Sequence, residues 1–414
     1  MIKLFYNPSQ ILTMNTNGKN FKRGSEINEI SPLYHHSIVV EDELIKDIIP
    51  NNSIILSKYD IIYDLRNKIL MPGLIDCHTH MVYAGSRADE FIMKLQGKSY
   101  EDIAQKGGGI LSTVNAIENI TPADLYNISL DRVKYFISQG ITTLEIKSGY
   151  GLSFDNEIKI LNVIRNLNQT LPIDIIPTFL GAHTYPKEYK NDHKKYIEIL
   201  LSNLTPFIIN NKLATFFDIF CEQTAFSPDE VDYIFSNLHN TPFKLKMHSE
   251  QFNSIGGLDI GLKHNVHSID HLEVITEQNI QKLASSNTVA VVLPGCSFFL
   301  NYDFAPAKKI IENNGILAIA SDYNPGSNHI NNISMLMGIA AIKMNLTPEQ
   351  ILNAWTINAA KALDISDKFG SIEPNKFADF AIFDTTNYNE IIYNMGNNLI
   401  SKVFKKGELI YNKK

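Results

Sequence analysis

From residue 69 onward, eight short apolar runs alternate with helical stretches, and this alternation limits the chain's possible folds more than any other feature. The runs cover residues 69–76, 141–146, 173–180, 214–220, 243–247, 266–269, 288–293 and 316–320. Helical spacing of apolar residues fills the gaps, most clearly over 124–138, 154–168, 228–238 and 276–284. Two helix starts are written out as Thr121-Pro122-Ala123-Asp124 and Ser227-Pro228-Asp229-Glu230: a capping hydroxyl, proline in the first turn, then acids. Strands alternating with helices imply a parallel sheet. Eight of them favour an α/β fold closed as a (β/α)8 TIM-like barrel over an open doubly wound sheet.

The ends read differently. Residues 1–68 hold short strands and turns, such as Ser37-Ile38-Val39-Val40 and Ile61-Ile62-Tyr63-Asp64. Near the other terminus, Ala378-Asp379-Phe380-Ala381-Ile382-Phe383 reads as a strand, and residues 403–411 as a hairpin turning at Lys406-Gly407. The expected organisation is a small β-sandwich domain from residues 1–68 plus 366–414, with the barrel over 69–365 inserted between them.

Composition rules out several functions. The chain has 414 residues, 44% of them hydrophobic and 20% charged, as in an ordinary globular protein with a large core. A net charge of −7 argues against nucleic acid as a partner, because phosphate binding needs a basic face. Three cysteines give no disulfide framework and suit a reducing compartment. The first residues lack the apolar core of a secretory signal. No stretch approaches the roughly 18 apolar residues of a membrane span; the nearest, 333–344, is interrupted by Ser334, Gly338 and Lys343. A cytoplasmic enzyme with no membrane partner is expected.

In such a barrel the chemistry gathers at the C-terminal strand ends. The first run leads into Cys77-His78-Thr79-His80, where strand alternation sets two imidazoles side by side and turns Cys77 away to pack. The second leads to Glu145, Lys147, Ser148 and Tyr150, and the third to His183. Later ends carry Cys221-Glu222, His248, Asp270-His271 and Asp322. His78, His80, His248 and Asp322 form a three-histidine, one-carboxylate set suited to zinc or iron with a position left for water. Arg87, on the loop after the first strand, can clamp a carboxylate with a two-pronged hydrogen bond or pair with Asp89 or Glu90. Gly107-Gly108-Gly109 lacks the Gly-Lys-Ser/Thr of a phosphate loop and reads as a loop over the mouth. His35, His36, His193 and His239 read as solvated, and His264 and His267 lie at the wrong end of the sixth strand.

Beyond composition and spacing, the motifs have a family resemblance. Pro72-Gly73-Leu74-Ile75-Asp76-Cys77-His78-Thr79-His80 resembles the metal motif of the amidohydrolase superfamily. Glu145-Ile146-Lys147-Ser148-Gly149-Tyr150-Gly151-Leu152, Phe179-Leu180-Gly181-Ala182-His183, Ser268-Ile269-Asp270-His271-Leu272-Glu273 and Ser321-Asp322-Tyr323-Asn324-Pro325-Gly326-Ser327 narrow it to the imidazolonepropionase family across essentially the whole chain. The resemblance implies hydrolytic ring opening of 4-imidazolone-5-propanoate to N-formimidoyl-L-glutamate, the third step of histidine degradation. It implies one divalent metal per chain, Zn2+ or Fe, on His78, His80, His248 and Asp322. It surrounds a carboxylate-bearing substrate with Arg87, Tyr150, His183, Gln251, Asn324, Gly326 and Ser327, and it implies a homodimer. The segment 333–342 equally fits an internal barrel helix. The nearest rival reading is another cyclic-amide hydrolase or deaminase of the superfamily; a barrel that has lost its chemistry would have shed metal ligands.

One position departs from the pattern. Many relatives have glutamate where this chain has Gln251, and an amide cannot accept a proton at neutral pH. Gln251 is then an orienting group, and proton transfer falls to His271 or Asp322, with His271 favoured by its ordinary pKa. Glu250 is an alternative only if the chain leaves strand geometry there. Glu222 is expected as a supporting or structural acid rather than a bridge between two metals.

Overall fold

A computed structural model describes residues 1–98 and 108–413; Gly107 of the glycine triplet lies outside them. The barrel strands are β1 (Leu74–Asp76), β2 (Ile141–Lys147), β3 (Asp174–Ala182), β4 (Phe216–Cys221), β5 (Lys244–Leu245, continued by Met247–Ser249), β6 (Ser268–His271), β7 (Val289–Val292) and β8 (Ile316–Ile319). Each pairs in parallel with the next. The circle closes just beyond the strands, where Thr79 bridges Tyr323 in parallel. There the Asp322 N–H donates to the His78 carbonyl at 3.0 Å and the His80 N–H donates to the Tyr323 carbonyl at 3.0 Å. This closure sets Asp322 against His78 and His80, although some 240 residues of chain separate them.

The written helix starts behave as their chemistry dictates. Helices α1 (Pro122–Ser138), α2 (Phe154–Thr170), α3 (Pro228–Leu238) and α4 (Glu277–Ala284) are capped by Thr121, Ser153, Ser227 and Thr276, each side chain accepting a backbone N–H three residues on. Glu230 returns the bond to Ser227 and completes a capping box. A cap of this kind stabilises its helix by about 1 kcal/mol.

Both termini contribute to two further sheets. A four-stranded sheet runs Leu44–Pro50, His36–Glu41, Ile2–Tyr6, Ile61–Asp64, and a six-stranded one runs Glu408–Asn412, Ile400–Lys405, Phe380–Phe383, Ile69–Pro72, Gln10–Leu12, Pro32–Leu33. Their facing sides share a buried cluster that includes Ile38, Val40, Leu70 and Ile382. Phe5 sits edge-on to Phe380 and Phe404, with ring centroids 4.9 and 4.8 Å away. Such aromatic pairs add about 0.5–1.5 kcal/mol each beyond area burial. The hairpin turns at Lys406 (φ 50°) and Gly407 (φ 75°), a left-handed pair that suits the twist of its strands.

One run is two elements. Residues 69–76, read from sequence as a single strand, divide at Gly73: Ile69–Pro72 pairs with Phe380–Phe383 in the terminal sheet, and Leu74–Asp76 opens the barrel. Gly73 is needed there, because a Cβ would lie 2.3 Å from the Thr142 side chain. The segment 333–342 forms the helix Ile333–Lys343 on the barrel, largely buried but with Ile342 at 64% exposure. Among the described residues no helix is long and apolar enough to cross a membrane.

Candidate active site

The strand ends converge on one buried cluster of imidazoles and carboxylates. The His78 ring centroid lies 5.3 Å from His80 and 4.5 Å from His248. Asp322 Oδ1 is 3.5 Å from His78 Nε2 and 3.6 Å from His80 Nε2. His271 stands behind, with its centroid 5.3 Å from His248 and 5.8 Å from His78. Three strand ends leave the extended region to reach these positions: Glu250 (φ 59°), His271 (φ 88°) and Asp322 (φ 51°) are left-handed. Side chains with a Cβ rarely adopt this conformation, and at His271 and Asp322 it re-aims the side chain as the strand ends.

Carboxylates beneath the histidines fix which nitrogen faces the centre. His78 Nδ1 donates to Asp270 Oδ2 at 2.6 Å, and His248 Nδ1 donates to Asp218 Oδ1 at 3.0 Å. The opposite nitrogens, His78 Nε2 and His248 Nε2, are buried without a hydrogen-bond partner. Orphaned acceptors of this kind are costly unless something electrophilic sits between them. Burial first, then Lys147 and the neighbouring imidazoles, hold His78 well below the ordinary histidine pKa; burial, His183 and His248 do the same to His80. Neutral imidazoles with free lone pairs, held by outer carboxylates, are the donor set of a divalent metal site. The group His78, His80 and Asp322 has its ligand atoms within 4.8 Å of one another, and so does the group His78, His248 and His271.

Below them lies a sealed charge network. Lys147 Nζ donates to Asp218 at 2.6 Å and Glu145 at 3.0 Å; Lys246 Nζ donates to Glu145 at 2.8 Å and to the Cys77 carbonyl at 2.9 Å. Asp270 lies 3.7 Å from both ammonium groups. Burial disfavours the Lys147 charge, but Asp218, Glu145 and Asp270 outweigh it and hold the lysine protonated. Burial likewise opposes ionisation of Asp218, yet His248 and Lys147 hold that carboxylate well below its usual range. Three carboxylates therefore face two ammoniums under the histidine cluster.

A cleft of about 370 Å³ opens above, lined by Arg87, Lys94, Tyr150, His183, Gln251, Asn324, Gly326 and Ser327 among others. Arg87 pairs with Glu90 at 2.8 Å rather than with Asp89. Its guanidinium lies directly over Gly326, where a Cβ would meet Nη1 at 2.0 Å. Glu90 also accepts the Gly109 N–H at 3.1 Å, which ties the arginine to the glycine loop. Asn324 Oδ1 accepts the N–H groups of Gly326 and Ser327 at 2.8 and 2.7 Å and so shapes that turn. His183 stacks 5.6 Å from His80, is pinned to the Gly149 carbonyl at 3.0 Å, and is kept neutral by burial with a pKa lowered to about 4. Burial also raises the Tyr150 hydroxyl, so it stays protonated. Gln251 reaches Cys296 Sγ at 3.6 Å.

Arg87, Tyr150, His183, Gln251, Asn324, Gly326 and Ser327 line this cleft, and the buried cluster of His78, His80, His248, His271 and Asp322 adjoins it through His80, whose ring lies 5.7 Å from Tyr150 and 5.6 Å from His183. Glu250 does leave strand geometry, but its neighbours are Ser254, Asn279 and Glu222, away from the cleft. Glu222 is structural: it accepts the Phe252 and Asn253 N–H groups at 2.9 and 3.1 Å and so holds the loop after His248. Sequence reasoning missed Asp218, Lys246, Glu273 and Cys296, and gave Asp270 no role. A lone charge in an apolar strand was the available signal for Asp218.

Comparison with known proteins agrees with this architecture. The amidohydrolase family matches residues 229–410. An imidazolonepropionase of Flavobacterium psychrophilum is 39% identical over 411 residues, covering 99% of this chain and all of that protein. One from Treponema denticola is 42% identical over 379 residues, covering 91% of this chain and 92% of that protein. The chain belongs to the imidazolonepropionase family. Its fold also superposes on an adenosine deaminase from Xanthomonas campestris solved with bound zinc, with a TM-score of 0.70 at 16% identity, covering 98% of this chain and 92% of the other. Family and fold agree with the donor set: the chain is a metal-dependent hydrolase with a (β/α)8 barrel and a smaller terminal β-domain.

Proposed function

We propose that His78, His80, His248 and Asp322 hold one divalent cation, zinc or iron, and that the cleft above it binds the propionate-bearing ring of 4-imidazolone-5-propanoate. The reaction is hydrolytic opening of that ring to N-formimidoyl-L-glutamate in histidine degradation. When bound, the cation supplies Lewis acidity, which lowers the pKa of water and polarises a carbonyl. The protein residues do the rest. Arg87 releases Glu90 to clamp the propionate, with Asn324, Gly326 and Ser327 setting the guanidinium's height. Tyr150 and His183 hold the ring by hydrogen bonds, and Gln251 orients it. His271 takes the proton from the attacking water as the new C–O bond forms at the ring carbonyl carbon. It returns that proton to the ring nitrogen as the C–N bond breaks. Burial works against protonation of His271, but Glu273 and then Asp322 outweigh it, leaving its pKa above the ordinary histidine value and fit for a base. Asp322 is both ligand and neighbour of this base. Positioning and fixed charge supply most of the acceleration.

The observation that carries the reading is the pair of orphaned nitrogens, His78 Nε2 and His248 Nε2, the first of them 3.5 Å from the Asp322 carboxylate, beside an arginine-walled cleft. The three free cysteines suit a cytoplasmic setting. The test follows ultraviolet absorbance of the imidazolone ring with native enzyme, chelated enzyme and Arg87→Met. Loss of the ring signal is expected with native enzyme and with Arg87→Met, the variant at a raised KM, and no loss with chelated enzyme. An intact ring in the presence of metal-loaded enzyme refutes the reading.

A further inference from the structure

The wall beside the four assigned ligands holds a second donor set. His271, Glu273 and Cys296 are all buried, and one ligand atom from each lies within 4.8 Å of the other two. Two polar atoms here have no hydrogen-bond partner: His271 Nδ1 and Glu273 Oε2, which face each other at 3.6 Å, too far for a hydrogen bond. Both side chains are more than nine-tenths buried, at 4% and 3% exposure. Glu273 is braced through its other oxygen by the Ser297 hydroxyl at 3.2 Å. Cys296 sits in the first turn of the helix Pro294–Leu300 that follows β7, and Gln251 of the cleft wall touches its sulfur at 3.6 Å. The site therefore adjoins the cleft.

We infer that His271, Glu273 and Cys296 form a second cation site, selective for a thiophilic divalent ion such as Zn2+ or Cd2+ and distinct from the four-ligand centre. A thiolate, an imidazole and a carboxylate together favour a soft or borderline ion over Mg2+ or Ca2+. With the thiol proton released as the S–metal bond forms, thiolate and carboxylate carry two negative charges, which balance the ion. Neither free Nδ1 nor free Oε2 needs to give up a bond to enter. This ion inhibits: a captured His271 has no lone pair left to take a proton, a consequence that rests on His271 being the base proposed above.

The test titrates holoenzyme carrying a single equivalent of zinc with Cd2+, counting bound ions by equilibrium dialysis and reading the ultraviolet charge-transfer band of a Cd–thiolate bond. None of the four ligands of the first centre is a cysteine, so the band reports the second site alone. Wild type should take one further equivalent, gain the band and lose turnover. Cys296→Ser should lose the further equivalent and the band, and Glu273→Gln should weaken uptake at least tenfold, while Cys77→Ser and Cys221→Ser keep both. No band in wild type, or a band that survives in Cys296→Ser, overturns the site. A band accompanied by undiminished turnover upholds the site and refutes His271 as the base.

Discussion

Replacing Asp270 by Asn isolates the contribution of a charge that never touches the metal. Asp270 Oδ2 accepts the His78 Nδ1 proton at 2.6 Å, and its Oδ1 accepts the Ser268 hydroxyl at 2.5 Å, all three groups being buried. Asparagine keeps the shape: its carbonyl can still accept from His78, and its amide can donate to the Ser268 oxygen. What goes is the negative charge. A hydrogen bond to a charged group is worth about 1.5–3 kcal/mol and a neutral one about 0.5–1.5, so the His78 contact weakens by about 1–1.5 kcal/mol. One decade in affinity is about 1.4 kcal/mol, so metal should bind about tenfold more weakly. Asp270→Ala removes the acceptor as well, leaving His78 Nδ1–H and the Ser268 hydroxyl buried and unpaired. Each unpaired group costs about 1–3 kcal/mol, which moves the loss towards a hundredfold and lowers the melting temperature. Competition against a chromophoric chelator measures both variants. Equal metal affinity in wild type and Asp270→Asn, or an alanine variant no weaker than the asparagine one, would refute the reasoning that the buried carboxylate tunes His78.

Glu273→Gln removes the charge that holds the His271 pKa up, so the acid limb of the kcat/KM profile should move to lower pH; an unmoved limb disconnects His271 from the rate. Gly326→Ala pushes a methyl group into Arg87 Nη1, which calls for a rise in KM well beyond any fall in kcat, read by steady-state kinetics on the imidazolone substrate. His78, His80 and His183 are all held below the ordinary histidine pKa of 6.5, His183 at about 4. The unfolded chain therefore takes up protons first, and stability is full above about pH 6.5 and falls as the pH drops below it. Metal release should track the same window, since protonated imidazole cannot ligate. Thermal melts and metal retention from pH 8 to 4 check this, and a flat profile would contradict it.

Much of this was legible because strand ends and helix caps are local. Ser227-Pro228-Asp229-Glu230 states its own capping box, and His78, His80, His248 and Asp322 can be placed once eight strands are counted. What sequence hides is which side chain meets which. Residues 69–76 look continuous because both halves are apolar; only sheet partners separate them at Gly73. Arg87 has acids two and three positions on, and helical geometry decides for Glu90. The carboxylates under the histidines are single charges within apolar strands, and their role depends on the direction each side chain takes into the barrel. Cys296 belongs to no spacing pattern at all, and its neighbours His271 and Glu273 come from another strand end.

The most direct measurement is an anomalous-difference map from crystals of metal-loaded protein, collected at the absorption edge of the bound metal. With one equivalent of metal per chain, the account predicts a strong peak within about 2.0–2.2 Å of nitrogens from His78, His80 and His248 and of an Asp322 oxygen. No peak among these four residues, or one from which Asp322 or His248 turns away, would contradict it.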